Sequence, residues 1–450
     1  MIPKVGDYLE VSVFDLTLQG IGIARWHKKV IFVPGLLPGE VGIVRITHSN
    51  AEACIAIALQ SLHQSNLRQK PICVLSRDCG GCAIQSITGT GQVSWKQHHV
   101  TEVMRRVGKL NTTLLPMITT EDLFQYRNKA LVPLERSCNG CLRAGFYQFS
   151  SHNIVDMNQC PLLDPRIDNL IEPIKADLEA SSWPIYTHGL NNSGLRHLCI
   201  KVGVKTGEIL ITLIASKSEL VGISNLAQHW MQRWPEVVGV CLNIQPNPNN
   251  IIIGKNTRII AGRPWIIEHF CNLNLYITPE TFFQVNTIQA ERIVNLLTST
   301  LNASKGSKIL DAYCGIGTLS LPLAAAGAQV LGLELQQRSV IHAQLNAQLN
   351  SIASARFKHM DVSQGLSINL PGCDALILDP PRKGLQPSTL KQVMGIPSLK
   401  IAYLSCNPST LARDLRLLTS DTQMKLNFIQ PIDFFPQTTH VECLAILSST

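Results

Sequence analysis

The feature that most limits the fold is a regular alternation of apolar strands and helical stretches after residue 272. The apolar strands are "KILDAYCGIG", "AQVLGLEL", "ARFKHMDV", "CDALILDPP" and "LKIAYLSCNP", spaced widely enough for a helix between them. Parallel strands need a crossover of this kind, whereas antiparallel strands can be joined by a short turn. Residues 272–450 are therefore predicted to form an α/β domain around a parallel sheet.

A glycine turn follows the first of these strands. In "ILDAYCGIGTLSLPLA", Gly315 and Gly317 stand between the strand and an amphipathic helix, where glycine lets the backbone approach a ligand. The dinucleotide fingerprint requires a third glycine three residues after the second, and Ser320 occupies that position. The turn therefore predicts a cofactor site but disfavours a nicotinamide-dependent oxidoreductase.

Acidic residues near the ends of successive strands indicate another cofactor. Asp311 precedes the turn and suits the cationic sulfonium and amino-acid end of S-adenosylmethionine. Glu334 ends the second strand, where it can accept hydrogen bonds from ribose hydroxyls, and Asp361 follows the third, near the adenine edge. This motif and order resemble the class I, Rossmann-like methyltransferases. A dehydrogenase and a degenerate, non-catalytic fold are the alternatives.

A cysteine and a late glutamate indicate the reaction. Cys406 in "YLSCNPSTLARDL" ends the fifth strand on the rim that carries the cofactor turn. Methylation of uracil at C5 needs a thiol, because C5 is a poor nucleophile until a thiolate adds to C6. A base must then remove the C5 proton, and Glu442 in "THVECLAIL" is the candidate. The alternatives are a cysteine that only packs and a salt-bridged glutamate at a strand end.

Four motifs strengthen this hypothesis: "DAYCGIGT", "LDPPRKG", "YLSCNPSTLARDL" and "HVE", in that order, resemble the RNA uracil-5-methyltransferase family. The resemblance implies Cys406 as nucleophile, Glu442 as base and Asp379 at the junction of cofactor, base and thiol. It implies a cofactor site lined by Gln284 of "TPETFFQVN" and by Tyr313, Gly315, Gly317, Thr318, Glu334, Asp361 and Asp379. Cys314, a rival thiol inside the turn, is predicted to pack.

The residue after Pro-Pro in "LDPPRKG" bears on the target atom. Arg382 stands where many amino-methylating enzymes carry an aromatic residue, which argues against N-methylation of adenine. Arg382 and Lys383 are candidates for contact with RNA phosphates, and a solvated surface is an equal interpretation for Lys383.

The N-terminal residues 1–62 have a different texture. Short alternating strands broken by Gly and Pro predict a small β-barrel. The stretch "GIGIARWHKKVIFVPGLLPGE" resembles the TRAM domain, an OB-like RNA-binding module. A barrel with only a scaffold role is the alternative.

Between the barrel and the α/β domain, residues 63–271 predict a central α+β domain, whose helical part near residues 93–125 is expected to pack on the catalytic domain. The net charge of the chain is +8, and residues 61–150 hold 11 Lys and Arg against 5 Asp and Glu. Such a basic zone favours a polyanion partner. Arg127 and Lys129 of "QYRNKALVPL" are candidates for phosphate contact, with a structural ion pair as the alternative.

A cysteine cluster lies in the central domain. "CVLSRDCGGC" places Cys73, Cys79 and Cys82 where three thiolates call for a fourth ligand. The spacing leaves two choices: a zinc site completed by Cys138 and Cys141 of "CNGC", or an iron–sulfur cluster completed by Cys160. The resemblance to the ribosomal RNA branch of the family implies a 4Fe–4S cluster on Cys73, Cys79, Cys82 and Cys160, with zinc as the alternative.

Together these patterns predict S-adenosylmethionine-dependent methylation of C5 of a specific uridine in RNA, expected in 23S ribosomal RNA. A transfer RNA enzyme and a catalytically inactive RNA-binding iron–sulfur protein are the alternatives. No secretory signal and no apolar stretch of membrane-spanning length stand in the sequence. We therefore expect a cytoplasmic monomer with RNA as partner, no membrane association and no obligate protein partner.

Overall fold

The computed structural model describes residues 3–137, 139–186, 194–247, 251–396 and 399–449. The chain forms two compact units: Met1–His98 with Phe435–His440, and His99–Phe434 with Val441–Thr450. Within the described ranges, no helix is both long and apolar enough to cross a lipid bilayer.

The first unit contains a closed barrel with strand order β1-β2-β3-β5-β4. Its strands are β1 (Tyr8–Leu16), β2 (Gly22–Trp26), β3 (Lys29–Val33), β4 (Val41–Ser49) and β5 (Ala53–His63). Alternate residues of these strands, such as Val11, Val13, Val44 and Ile46, point inward and form the core. The barrel predicted from alternating strands is confirmed.

Helix α1 (Gly89–Val103) contains the boundary between the units and continues into a π-helical segment, Met104–Gly108. This segment ends at Lys109, whose φ of 54° is left-handed. The sequence pattern predicted a helix here but not the widened turn, because one extra residue per turn leaves no mark in an apolar pattern.

The second unit begins with a mixed sheet of order β12-β11-β10-β9-β6-β7-β8. Its strands and helices are β6 (Lys129–Arg136), β7 (Leu142–Tyr147), β8 (Ile154–Asp156), α2 (Pro165–Ala180), β9 (Leu195–Val202), β10 (Ile209–Ala215), α3 (Ile223–Arg233), β11 (Val237–Ile244) and β12 (Asn256–Gly262). Helix α2 begins where the Asp164 side chain accepts a hydrogen bond from the Arg166 N–H, with Pro165 in the first turn.

A hairpin of β13 (Ile266–Phe270) and β14 (Leu273–Ile277) leads into the α/β part. This part comprises α4 (Thr287–Thr300), β15 (Lys308–Ala312), α5 (Ser320–Ala325), β16 (Gln329–Glu334), α6 (Gln337–Leu349), β17 (Ala355–His359), α7 (Val362–Asn369), β18 (Ala375–Leu378), α8 (Pro387–Met394), β19 (Lys400–Ser405), α9 (Pro408–Ser420), β20 (Met424–Ile432) and β21 (Glu442–Ser449).

The sheet of this part has the order β17-β16-β15-β18-β19-β21-β20. Strands β15 to β19 are parallel, as predicted, and β21 inserts antiparallel between β19 and β20. The strand order reverses at β15, between its neighbours β16 and β18. Ligands of such sheets bind outside the carboxyl ends at a reversal of this kind, which is where the predicted site residues stand.

Candidate active site

The glycine turn after β15 leaves space for a ligand next to its backbone. Tyr313, Gly315 and Gly317 have φ angles of 77°, 55° and 88°, a region that glycine adopts without strain. A Cβ added to Gly315 would meet no described atom within 4 Å, whereas one at Gly317 would come within 2.9 Å of Leu321. Gly317 is therefore required for packing, and Gly315 leaves room for a ligand against the backbone.

Two of the predicted cofactor carboxylates are held by backbone N–H groups. Glu334 accepts hydrogen bonds from Gly315 N at 3.2 Å and Gln336 N at 2.7 Å, which holds the carboxylate beside the turn. Asp361 caps α7 by accepting a hydrogen bond from Ser363 N at 2.8 Å. Both side chains are half-buried, as are Tyr313 and Thr318. Burial raises the pKa of Tyr313, and the nearby Asp361 raises it further.

Asp311 is fully buried at the end of β15. Its Oδ2 accepts a hydrogen bond from the Ser320 hydroxyl at 2.5 Å, and its Oδ1 has no hydrogen-bond partner among the described residues. Burial, together with the charges of Asp379 and Glu334, raises the pKa of Asp311 to about 7, although the Ser320 hydrogen bond opposes the shift. A buried carboxylate atom without a donor, beside an open glycine turn, fits the cationic end of S-adenosylmethionine. Sequence reasoning noted Ser320 only as a missing glycine and missed its bond to Asp311.

The pairing of neighbouring strands brings the predicted catalytic residues together. Asp379 follows β18 and Cys406 follows β19, and these strands are parallel neighbours. Glu442 begins β21, which pairs with β19 through Ser405 and Cys443, so Glu442 comes opposite Cys406. The cysteine, the glutamate and the aspartate therefore meet at one edge of the sheet.

These groups also change one another's pKa values. Burial raises the pKa of the half-buried Cys406 thiol, Glu442 and Asp379 raise it further, and Arg382 opposes the shift by its charge and a side-chain hydrogen bond. Glu442 is 7% exposed, and its pKa is well above the usual range because of burial and Asp379. Burial raises the pKa of Asp379 to about 7. These acids therefore retain protons at pH values where ordinary carboxylates have lost theirs.

Arg382 is oriented by the start of α9. Its carbonyl oxygen accepts hydrogen bonds from Asn407 Nδ2 at 3.1 Å and Thr410 Oγ1 at 3.3 Å. Asn407 also caps α9, because its Oδ1 accepts a hydrogen bond from Ser409 N, and Pro408 occupies the first turn. Sequence reasoning used Arg382 to argue against N-methylation and named it as a candidate for phosphate contact, but it did not predict the position of Arg382 beside the thiol. The absence of the usual aromatic residue at this position was the available signal.

The segment that carries Gln284 is held by a buried lysine. Lys201 Nζ donates hydrogen bonds to the carbonyl oxygens of Thr278, Pro279 and Thr281 at 2.6, 3.2 and 2.8 Å. Gln284 itself is half-buried, and its carbonyl oxygen accepts a hydrogen bond from Asn128 Nδ2 at 2.8 Å.

Two further predicted contact residues lie in or just before the central sheet. Lys129 lies in β6 opposite Lys201, half-buried within the sheet, and Arg127 is also half-buried.

The structure does not show the predicted metal site. Cys73, Cys79 and Cys82 lie in the first unit and Cys160 in the second. Across the described ranges, no group of three or more His, Cys, Asp or Glu side chains is arranged to hold a metal ion. Of the zinc alternative, Cys141 is exposed and Cys138 lies outside the described residues.

Comparisons with known proteins match this architecture. A family model described as tRNA (uracil-5-)-methyltransferase matches residues 207–450, and a TRAM domain model matches residues 3–58. An uncharacterised RNA methyltransferase of Parasynechococcus marenigrum is 44% identical over 99% of this chain and 96% of its own. One from Nostoc sp. is 40% identical over 98% and 96%.

A solved structure extends the likeness to the whole fold. The tRNA (uracil-54, C5)-methyltransferase of Pyrococcus abyssi, in complex with S-adenosyl-L-homocysteine, is 25% identical, with a TM-score of 0.76 over 97% of this chain and 99% of that one. The N-terminal barrel is thus a TRAM domain, and the C-terminal part is an S-adenosylmethionine-dependent methyltransferase fold. The chain belongs to the uracil-5-methyltransferase family of RNA methyltransferases.

Proposed function

We propose that this enzyme methylates C5 of a uridine in 23S ribosomal RNA through a covalent bond between Cys406 and C6 of the base. The observation that carries this proposal is the meeting of Cys406, Glu442, Asp379 and Arg382 at the carboxyl edge of the sheet. Asp379 also acts electrostatically on Asp311 beneath the glycine turn, which connects the thiol to the proposed cofactor site.

The first step is addition of the thiol to the base. Arg382 stabilises the thiolate of Cys406, and Asp379, with a pKa of about 7, is placed to take the thiol proton. The sulfur forms a bond to C6, and the electron pair of the C5–C6 double bond moves towards O4, which makes C5 nucleophilic. S-adenosylmethionine, when bound, supplies an electrophilic methyl group.

The last step returns the free enzyme. Glu442 removes the proton from C5, the C5–C6 double bond forms again, and the bond between sulfur and C6 breaks. Because the pKa of Glu442 is raised, its ionised form is a stronger base than an ordinary carboxylate. The same shift means that Glu442 must lose its proton before this step.

The ribosomal target is supported by resemblance alone. The pattern of Cys73, Cys79, Cys82 and Cys160 resembles the ribosomal RNA branch of the family, whereas the similar solved structure is a tRNA enzyme. Mapping of 5-methyluridine at base resolution in the ribosomal and transfer RNA of a deletion strain tests the proposal. Loss of a ribosomal site supports it, and loss of a tRNA site alone overturns it in favour of a tRNA target.

A 4Fe–4S cluster on Cys73, Cys79, Cys82 and Cys160 is a separate proposal. Its support is the spacing of the first three cysteines and the family resemblance. No step of the reaction uses it.

RNA containing 5-fluorouridine tests the chemistry. Because fluorine at C5 cannot leave as a proton, the enzyme with S-adenosylmethionine should form an adduct with this RNA that resists denaturation. Cys406→Ser should form none. Cys373→Ser, which changes a half-buried thiol outside the site, should form it as the wild type does. An adduct in Cys406→Ser, or none in the wild type, would overturn the proposed mechanism.

A further inference from the structure

We propose that exposed cations on three adjoining elements of the second unit form a face that binds RNA phosphates beside Cys406. This basic face consists of Arg105, Arg106, Lys109, Lys383, Arg413 and Arg416. The inference rests on the proposed function, because it takes RNA as the substrate, and it assigns the part of the surface that holds that RNA next to the reacting base.

The first element is α9, which begins two residues after Cys406. Ser409, Arg413, Arg416 and Ser420 are exposed, while Leu411, Leu415 and Leu418 are buried. This helical spacing puts the exposed residues on one face, which runs away from the thiol for about 20 Å along the helix. The face therefore starts beside the nucleophile and carries two arginines along its length.

The π-helical segment Met104–Gly108 lies against α9. A Cβ on Gly108 would come 3.2 Å from the carbonyl oxygen of Ala412, so the two backbones approach closely. Arg105 and Arg106 expose 63% and 69% of their side chains to solvent, and Lys109 is exposed at the end of the segment. Glu102 pairs with both arginines, but exposed pairs of this kind are weak and leave the guanidinium groups available to a phosphate.

The loop after β18 adjoins α9 at another part of its surface. Arg413 Nη2 donates a hydrogen bond to the Lys383 carbonyl oxygen at 3.2 Å, and the Lys383 side chain is exposed. Asp414, the acidic neighbour of Arg413, is fully buried and pairs with the Arg413 guanidinium at 2.7 Å, and it also accepts hydrogen bonds from the Tyr403 hydroxyl and Leu385 N. This pair holds Arg413 in place, and 44% of its side chain is still exposed to solvent. Six cations therefore face solvent on these three elements. Of the acids on the same elements, Asp414 is buried against Arg413, Glu102 and Asp379 are half-buried, and Asp421 is exposed at the far end of α9.

The positive charge of the basic face indicates that its partner is a nucleic acid. Neutralisation of phosphates by Lys and Arg releases counterions, so it dominates the affinity of proteins for nucleic acids at low salt. Arginine and lysine contacts to phosphates hold the RNA in register without reading its bases. The basic face is thus expected to hold the strand next to the target uridine, and not to select the uridine.

Salt dependence of RNA binding tests this inference. A face variant combines Arg105→Gln, Arg106→Gln, Lys109→Gln and Arg416→Gln, none of which touches the thiol. A control variant removes the same charge through Arg143→Gln, Arg356→Gln, Lys358→Gln and Lys425→Gln, which are exposed cations elsewhere in the same unit. Binding of both variants to the substrate RNA is measured across a salt series.

The face variant should bind RNA at least about tenfold more weakly at low salt, and its log–log salt slope should fall by about 0.7 to 0.9 for each phosphate that is no longer neutralised. The control should match the wild type, and Arg416→Gln alone should lower the slope by the amount expected for about one phosphate. The KM for S-adenosylmethionine and the yield of 5-fluorouridine adduct at saturating RNA should not change.

Equal affinity and slope in face and control variants would overturn the inference. If the wild type binds RNA but forms no adduct, the proposed mechanism is overturned. The comparison of salt slopes between the face and control variants would still test the basic face.

Discussion

At the level of single residues, the reactivity of Cys406 depends on Arg382. A half-buried thiol is a poor nucleophile, because burial favours the neutral form and only the thiolate attacks. Glu442 and Asp379 act in the same direction as burial, and Arg382 acts against all three. The backbone of Arg382 is held by hydrogen bonds from the Asn407 and Thr410 side chains to its carbonyl oxygen, which fixes where the arginine side chain begins.

Replacing Arg382 should therefore shift the titration of Cys406 to higher pH. In Arg382→Gln the positive charge is removed, the pKa of the thiol rises, and alkylation of Cys406 by iodoacetamide at pH 8 should be several-fold slower. Arg382→Lys should restore part of the rate. Alkylation is followed by peptide mass spectrometry over a pH series, with Arg356→Gln as the control. An identical pH profile in Arg382→Gln would show that the arginine does not act on the thiol.

Glu442→Gln separates the base from the nucleophile. The amide cannot remove the C5 proton, so turnover should fall by about 10²- to 10⁴-fold, while covalent RNA that already carries the methyl group accumulates. Gel shift and mass spectrometry of the denatured complex with unmodified RNA measure this product. Normal turnover in the variant would disprove the assignment of Glu442 as base.

The same substitution has a pH-dependent effect on stability. The pKa of Glu442 is higher in the folded chain than in the unfolded one, so the folded state binds more protons above about pH 4.3, the ordinary glutamate value. The wild type therefore loses stability relative to Glu442→Gln as the pH rises from there towards the raised pKa. In urea denaturation, the stability of Glu442→Gln relative to the wild type should therefore increase from pH 5 to pH 8. A difference that does not change with pH would contradict the raised pKa of Glu442.

The site residues also show which features of the site can be predicted from the sequence and which cannot. Cys406 and Glu442 were predicted from their own positions, a thiol at a strand end and an acid in an apolar strand, and Asp379 was predicted from the family resemblance. The contacts of Arg382 and Ser320 were not predicted, because their partners, the Cys406 thiol and the Asp311 carboxylate, lie 24 and 9 positions away in the chain. A contact of that kind depends on which strands become neighbours.

At the level of elements, local patterns predict strands well and their neighbours poorly. The parallel part of the sheet follows from alternation of strands and helices. The antiparallel insertion of β21 between β19 and β20 does not, because "ECLAILSS" is apolar on both faces and fits any buried position. Yet this insertion is what brings Glu442 opposite Cys406.

Lys201 gives a test of how one element holds another. Lys201→Met removes the lysine donor from three carbonyl oxygens of the segment before Gln284, of which only Thr278 O keeps another donor, the Thr281 hydroxyl, among the described residues. This loss should cost about 2 kcal/mol or more and raise the KM for S-adenosylmethionine several-fold. The KM for RNA should not change. Steady-state kinetics with each substrate varied measure this, and equal effects on both KM values would indicate general loosening instead.

The titration of Lys201 predicts a further pH effect. Burial lowers its pKa to about 7, so between about pH 7 and the ordinary lysine value near 10.4 the unfolded chain binds more protons than the folded one. The stability of the wild type relative to Lys201→Met should rise with pH across that window. A flat difference would mean that Lys201 titrates normally.

The cysteine loop is the element whose role is decided by analysis of metal content. If Cys73, Cys79, Cys82 and Cys160 hold a 4Fe–4S cluster, anaerobically purified enzyme should be brown and contain about four iron and four sulfide per chain. Cys82→Ser should lose both, and Cys373→Ser should keep them. Colourless protein with stoichiometric zinc, absent from Cys141→Ser, would replace the cluster with the zinc alternative.

At the level of the whole molecule, the chain returns to its first unit just before Glu442, the proposed catalytic base. Phe435–His440 belongs to the unit formed by the N-terminal residues, and Glu442 follows two positions later in the other unit. Gln92 holds the returning segment: its Nε2 donates hydrogen bonds to Gln437 Oε1 and Ile87 O, and its Oε1 accepts one from Gln437 N. Both glutamines are fully buried. No local pattern predicts this bond, because 345 positions separate its residues.

Gln92→Leu should therefore affect stability and catalysis in different ways. Leucine fills similar space but leaves three buried polar groups without their partner, which should cost about 2–4 kcal/mol in urea denaturation. Because the segment leads into Glu442 and not into Cys406, turnover should fall more than formation of the 5-fluorouridine adduct. Gln348→Leu on the exposed face of α6 is the control and should change neither. Equal losses of turnover and adduct at a temperature where the variant is fully folded would show that the segment does not position the base.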